Sequence, residues 1–224
     1  MVGLLGDNGA GKSTLVKCLS GSLRPTAGEI LVDGRPADLG TPEKARALGI
    51  ETVHQDLAVV ESMDVTANLF LGRELVRGRG LLRRLGWLDH KAMEERTGAT
   101  LDRLRIRIPS FREEVGALSG GQRQAVAVGR AVAWGSHIVL LDEPAAALGV
   151  EQASHVLDLC RRLADQDVAV VLISHSMQHV LEVCSRVVVL RHGTVAADRS
   201  IDGLTGQDLV GLITGADVTL RGVG

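Results

Sequence analysis

The chain is 224 residues long and 45% hydrophobic, with 25 basic against 27 acidic residues and a formal charge of -2. One domain of that size buries on the order of 70% of its unfolded surface without staples, and the charge balance excludes a polycation that holds nucleic acid by counterion release. Cys18, Cys160 and Cys184 are odd in number and widely spaced, which argues against a disulfide framework and for reduced thiols in the cytoplasm.

Residues 2–5 form an apolar, strand-like run that ends in Gly6-Asp7-Asn8-Gly9-Ala10-Gly11-Lys12-Ser13, and residues 14–19 continue with helical periodicity. The spacing matches the phosphate-cradling loop Gly-x-x-x-x-Gly-Lys-Ser in its strand–loop–helix setting. Its glycines let backbone N–H groups close around phosphate oxygens, Lys12 neutralises the terminal phosphates, and the Ser13 hydroxyl can ligate Mg2+. The helix that starts near Lys12 adds its positive dipole end. These residues mark a nucleoside triphosphatase.

Further β-branched runs follow at 29–32, 50–53, 138–141, 168–173 and 187–190, and those flanked by helical stretches predict a largely parallel α/β sheet. Between about 69 and 134 the pattern changes to helical periodicity with many charges, which predicts an inserted helical lobe. Gly78, Gly80, Gly86 and Pro109 interrupt it, so its helices are expected to be short. Arg73, Arg77, Arg79, Arg83 and Arg84 lack interleaved aromatics for base stacking and read as a solvated helical face, not a nucleic-acid surface. Leu118-Ser119-Gly120-Gly121-Gln122 then precedes a helix, and residues 138–144 make an apolar strand ending in Asp142, Glu143 and Pro144. Carboxylates at that end of a strand lie at the mouth of the sheet beside the phosphate loop, where Mg2+ and the γ-phosphate must sit; the alternative is that both merely cap the next helix. No apolar stretch approaches the ~18 residues of a membrane span, nor does Met1 open on a charged, cleavable leader. There is one phosphate loop and no internal repeat, so a second nucleotide site is expected to come from another chain.

Phosphate loop, serine–glycine stretch and acidic strand in this order resemble the ATP-binding cassette (ABC) ATPases, over essentially all 224 residues. The resemblance implies a single P-loop α/β domain. Its RecA-like core would comprise residues 1–68 and 135–224, with a helical subdomain inserted at about 69–134. It implies ATP as substrate with Mg2+. Residues 6–14, from Gly6 through Asp7, Asn8, Gly9, Ala10, Gly11, Lys12 and Ser13 to Thr14, would bind the nucleotide. Asp142 would partner Mg2+ through water, alongside Ser13 and Gln55; Glu143 would be the general base on the attacking water. Gln55 would also touch that water and sense a membrane partner, and His175 would bond the γ-phosphate. Ser119, Gly120, Gly121 and Gln122 would complete the ATP site of a second cassette across a head-to-tail dimer.

Within the family, residues 53–74 (beginning Val53-His54-Gln55-Asp56-Leu57), 119–128 and 145–150 look like the branch that imports ribose, xylose, galactose or fructose. That branch implies transmembrane permease subunits, a sugar-binding protein acting through them, and a peripheral seat on the cytoplasmic face of the membrane. Its members mostly carry two fused cassettes, whereas this chain carries one. Two departures stand out: Ala147-Leu148-Gly149 replaces the usual Ala-Leu-Asp, and the two antiparallel strands with an adenine-stacking aromatic that normally precede the phosphate loop are expected to be missing. The rival readings are a soluble ABC-type ATPase of DNA repair or translation, and a P-loop small-molecule kinase. Neither accounts for the full set: the first usually shows paired cassettes, zinc-ligand cysteines or coiled-coil insertions, and the second leaves residues 118–122 unexplained.

Overall fold

The first apolar run forms strand β1 (Val2–Gly6), whose residues after Val2 are buried because it lies inside a six-stranded sheet. A computed structural model describes residues 1–54, 59–78 and 86–216. The sheet order is β4 (Ile50–Val53), β5 (Ile138–Asp142), β6 (Ala169–Ile173), β1, β7 (Arg186–Arg191) and β8 (Thr194–Ser200). The first five strands are parallel and β8 returns antiparallel to β7. The run at 29–32 stays outside this sheet: only β2 (Leu31–Val32) forms there, paired with β3 (Arg35–Pro36). Leu31 is 53% exposed, whereas Ile30 and Val32 pack partly buried against the apolar cluster around Leu4 and Val16, so the hairpin rests on the core without joining the sheet.

Helices pack on both faces, and the strands' two-residue period sorts their side chains between them. Leu5, Val139, Leu141, Leu172, Val187 and Val189 enter one apolar cluster with α5 (Gly120–Val132), α6 (Val150–Ala164), α7 (Met177–Val183) and α8 (Gly206–Thr214). Leu4, Leu140, Ile173 and Leu190 point the other way, toward α1 (Lys12–Leu19) and α2 (Pro42–Ala47). Cys160 and Cys184 are buried free thiols of the first cluster, and burial pushes each up to about 12.

A third cluster joins α3 (Val65–Phe70), α4 (His90–Arg103) and α5 through Val65, Leu69, Met93, Leu101 and Val126. The helices of this stretch are not uniformly short: α4 runs 14 residues and α5 runs 13. Gly98 lies inside α4, where its bare Cα admits the Phe111 ring: a Cβ would come within 3.2 Å of it. Arg73 does not lie on a solvated helical face either. It follows α3, reaches Glu51 on β4 at 3.0 Å and stacks over Trp134 at 5.3 Å, tying the helices to the sheet edge. Arg77 approaches Asp89 at 3.7 Å; Arg79, Arg83 and Arg84 lie outside the described residues.

Candidate active site

The loop from Gly6 to Lys12 rises from the carboxyl end of β1 and is held from below. Gly6 has a φ of 155°, and a Cβ there would sit 2.5 Å from the Leu190 carbonyl oxygen and 2.9 Å from Ala10 Cβ. Only glycine lets the loop leave the strand this close to β7. The Ala10 N–H donates to the Asp7 carbonyl at 3.1 Å, and the Gly193 N–H donates to the Ala10 carbonyl at 3.1 Å. Lys12 is 8% exposed and its Nζ donates to the carbonyls of Gly6 at 2.7 Å and Asp7 at 3.0 Å. Ser13 and Thr14 are exposed in the first turn of α1, whose N-cap, Gly11, offers no side-chain acceptor. The free N–H groups of that turn therefore face outward with a positive dipole end, an arrangement that suits phosphate.

Register brings the other groups beside this loop. Ile173 on β6 is level with both Asp142 on β5 and Leu4 on β1, so the three strand ends lie abreast. Glu143 follows Asp142 with a φ of 53°, and its N–H donates to the Ile173 carbonyl at 3.0 Å. Its side chain is 9% exposed and Oε1 lies 3.3 Å from His175 Nε2, yet that oxygen has no hydrogen-bond donor among the described residues. Burial raises the Glu143 carboxyl above the usual range; His175 opposes this, Asp142 adds to it, and Lys12 pulls weakly downward. His175 comes from the turn after β6, which Ser174 and Ser176 order: Ser174 Oγ accepts from the Ser176 N–H at 3.1 Å, and Ser176 caps α7. Loop, Asp142, Glu143 and His175 thus converge at one edge of the sheet. Val53 is level with Leu141, so β4 also points its end there through His54; Gln55, the next residue, lies outside the described residues.

Ser119, Gly120, Gly121 and Gln122 sit apart, at the start of α5. Ser119 caps the helix, accepting the Gln122 N–H at 3.3 Å, while Gln122 Oε1 accepts the Ser119 N–H at 3.0 Å. A Cβ on Gly120 would meet Leu148 Cδ2 at 3.0 Å, which lets α5 lie close against the start of α6. Among the described residues, no hydrogen bond or ion pair joins this segment to residues 6–14.

The turn backing the phosphate loop escaped sequence reading. His192 and Gly193 link β7 to β8 with φ of 49° and 78°, the conformation of a tight two-residue hairpin. The signal was present as a residue–glycine pair directly after a β-branched run.

The family described as "ABC transporter" matches residues 1–146, well over half of the chain, and so covers the phosphate loop, the α5 cap and the acidic strand. The chain belongs to the ABC transporter family. As an ABC cassette it is an ATP-using enzyme, an ATPase of the α/β P-loop fold. It is 42% identical to the fructose import ATP-binding protein FrcA of Rhizobium meliloti over 96% of this chain and 84% of that protein. The xylose/arabinose import ATP-binding protein XylG of Sulfolobus acidocaldarius is 40% identical over 96% and 82%. The ribose import ATP-binding protein RbsA of Chromobacterium violaceum is 39% identical over 96% of this chain but only 41% of its own length. Among solved structures, cbiO1 from Clostridium perfringens, part of the transporter complex cbiONQ, superposes with a TM-score of 0.72 at 25% identity, covering 89% of this chain and 76% of that one. An ABC cassette in its ADP conformation reaches 0.77 at 24% identity over 96% and 87%, a likeness of fold. Among the described residues of this ABC cassette, no helix is long and apolar enough to cross a membrane.

Among the described residues no group of three or more His, Cys, Asp or Glu side chains forms a self-contained metal cage. One hydroxyl, Ser13, and one strand-end carboxylate, Asp142, stand at the site instead. That donor set fits Mg2+, which keeps its waters and takes one or two protein oxygens with the phosphates of its nucleotide.

Proposed function

We propose that this chain is the ATP-binding and ATP-hydrolysing subunit of a membrane importer for a monosaccharide, seated peripherally on the cytoplasmic face of the membrane. The observation that carries the hydrolytic part is the approach of His175 Nε2 to the buried Glu143 Oε1, 3.3 Å, beside the phosphate loop. The names of relatives at about 40% identity, importing fructose, xylose or arabinose, and ribose, support the sugar.

In this reading residues 6–14 grip the phosphates, with Lys12 Nζ exchanging its two carbonyl partners for phosphate oxygens. Glu143 takes the proton of the attacking water, a role suited to a carboxylate whose affinity for protons burial has increased. His175, 59% exposed at its side chain, bonds the γ-phosphate while orienting that carboxylate. Mg2+, held by Ser13, Asp142 and Gln55, supplies neutralising charge on the β- and γ-phosphates. Ser119, Gly120, Gly121 and Gln122 complete the site of a second cassette, their open first-turn N–H groups meeting its γ-phosphate.

Residues 1–68 and 135–224 act as the nucleotide-handling core and about 69–134 as the lobe that carries the α5 cap; the apolar cluster of α3, α4 and α5 supports a helical lobe there, while α3 begins at Val65 and the later part of α5 packs with the sheet. The permease docks in a groove of about 420 Å³ at the β4 edge, lined by Val53, His54, Arg73 and Trp134.

The test is to purify the chain with its partners from detergent-solubilised membranes of the source cells, reconstitute the complex in vesicles, and assay ATP-dependent uptake of ribose, xylose, fructose and galactose. Co-purifying membrane subunits and uptake of at least one of these sugars are expected. Recovery solely with DNA-repair factors or ribosomes would overturn the importer reading.

A further inference from the structure

A second cavity, of about 480 Å³, opens away from the phosphate loop, between the start of α5, the exposed side of α6 and the turn after α4. Its lining is basic and amide-bearing: Arg105, Arg107, Arg162 and His155, with Gln122 and Gln152. The floor between them is apolar, from Ile106 and the buried side of α6. One carboxylate, Asp158, reaches the cavity, but it accepts from Arg161 Nη1 at 2.5 Å and not from any arginine of the lining. Arg162 Nε donates to the Leu104 carbonyl at 3.1 Å, which anchors the guanidinium and leaves its outer nitrogens available. Arg105 and Arg107 have no side-chain hydrogen bond or ion pair among the described residues. Arg105 is also held at a φ of 54°, left-handed backbone that glycine would occupy without strain.

Three arginines line this one concavity, and like charges gathered around it favour an anion over a cation as its occupant. Their planar donor forks match phosphate oxygens. The volume lies in the range of small-molecule sites, about 300–1,000 Å³. A bare phosphate would leave most of it to water and would not reach the Gln152 amide on α6; a polyhydroxylated phosphate ester spans the arginines and that amide.

We propose that this cavity binds a phosphorylated monosaccharide, its phosphate on Arg105, Arg107 and Arg162 and its hydroxyls on Gln152 and His155, and that its occupancy slows ATP turnover. The choice of a sugar over other organic phosphates rests on the importer reading above. A kinase acting on the imported sugar is the class of reaction that supplies such a ligand. Ser119 and Gly121 line the same cavity, so the ligand lies against the α5 start that a partner cassette's ATP must reach.

Calorimetric titration of the whole chain with ribose 5-phosphate, fructose 6-phosphate, inorganic phosphate and the two free sugars tests this, alongside sedimentation with vesicles of phosphatidylglycerol. A sugar phosphate is expected to bind, inorganic phosphate to bind at least about tenfold more weakly, and free sugar not at all. Arg107→Gln and Arg162→Gln are each expected to weaken the sugar phosphate about tenfold or more, with ADP affinity unchanged in both and melting temperature unchanged in Arg107→Gln, whose side chain makes no described bond. The ester should inhibit ATPase in the parent protein and not in Arg107→Gln. No binding at millimolar ester, binding that survives both arginine substitutions, or binding lost instead in Lys12→Ala would overturn the site. So would vesicle binding through these arginines without binding of soluble esters. Glycerol 3-phosphate binding as tightly as the sugar phosphates would overturn the sugar assignment. The importer reading is decided separately, by the co-purifying membrane subunits, which none of these titrations touches.

Discussion

Glu143 combines a left-handed backbone, φ 53°, with a side chain that is 9% exposed and a buried Oε1 lacking a donor. Each feature costs stability, and a stable protein tolerates such strain where the surrounding structure imposes it. Glu143→Gln keeps the shape and removes the charge, so turnover in the assembled transporter is expected to fall by two or more orders of magnitude while ATP binding persists. The same substitution has a stability signature. Burial raises this carboxyl, so its contribution to folding is fully present below the unfolded value and is lost as pH rises through the folded one. The glutamine variant escapes that loss. Its melting temperature should exceed the parent's at neutral pH, with the gap closing as the medium is acidified below the carboxylate range. Equal gaps at pH 7 and pH 4 would show that burial is not what controls this group. For ATPase the sign runs the other way, because a base must be ionised: activity in the parent should rise with pH through the elevated value.

At the scale of elements, the phosphate loop depends on β7 and β8 as much as on its own residues. Gly6 abuts the Leu190 carbonyl, and Gly193 donates to Ala10 from the hairpin turn. The loop's glycines are therefore not equivalent. A Cβ on Gly9, φ 77°, would have nothing within 4 Å, so Gly9→Ala carries only left-handed strain, ~1–2 kcal/mol. In a chain of this length that lowers the melting temperature by about 2–8 °C. Gly6→Ala must displace backbone, and we expect a larger fall together with at least tenfold weaker ADP binding. Thermal melts and ADP titrations of the two variants side by side check the ranking; equal losses would mean that β7 yields freely. The start of α6 makes a related point. Gly149 stands at its N-cap with no side chain to accept an N–H, whereas α5 has the full Ser119–Gln122 capping box. The family's usual aspartate would have served as that acceptor.

At the scale of the molecule, the α5 cap and the phosphate loop make no described hydrogen bond with each other, although the body of α5 packs in the same apolar cluster as Leu5 of β1. On the proposed reading a complete site requires two chains. Mixing Lys12→Ala with Ser119→Arg should form heterodimers in which one site carries both lesions and the other carries neither. ATPase activity above that of either variant alone is expected on mixing. Heterodimers, verified by tagged pull-down, that stay inactive would contradict the head-to-tail arrangement or the independence of its two sites.

The phosphate loop, the acidic strand and the cap of α5 were legible in the chain because each rests on local chemistry: glycine's freedom, a hydroxyl acceptor at a helix start, carboxylates closing an apolar run. Periodicity likewise marked β1, β4, β5, β6 and β7 as strands. It did not separate 29–32 from them, since whether an apolar run joins a sheet depends on what covers it, and Leu31 is left half open to solvent. Nor did the breakers Gly78, Gly80, Gly86 and Pro109 keep every helix short, because α4 fits between Gly86 and Pro109 and buries Met93, Thr97 and Leu101 along one face. Contacts between residues distant in sequence were decided by tertiary structure alone. Register across three strands brought His175 to Glu143, a hairpin some 180 residues downstream was folded under Ala10, and Arg73 was drawn from an apparent charged face onto Glu51 and Trp134. Local sequence determines which groups can do chemistry, whereas the distances between them depend on strand order and on how the helices fill the two faces of the sheet.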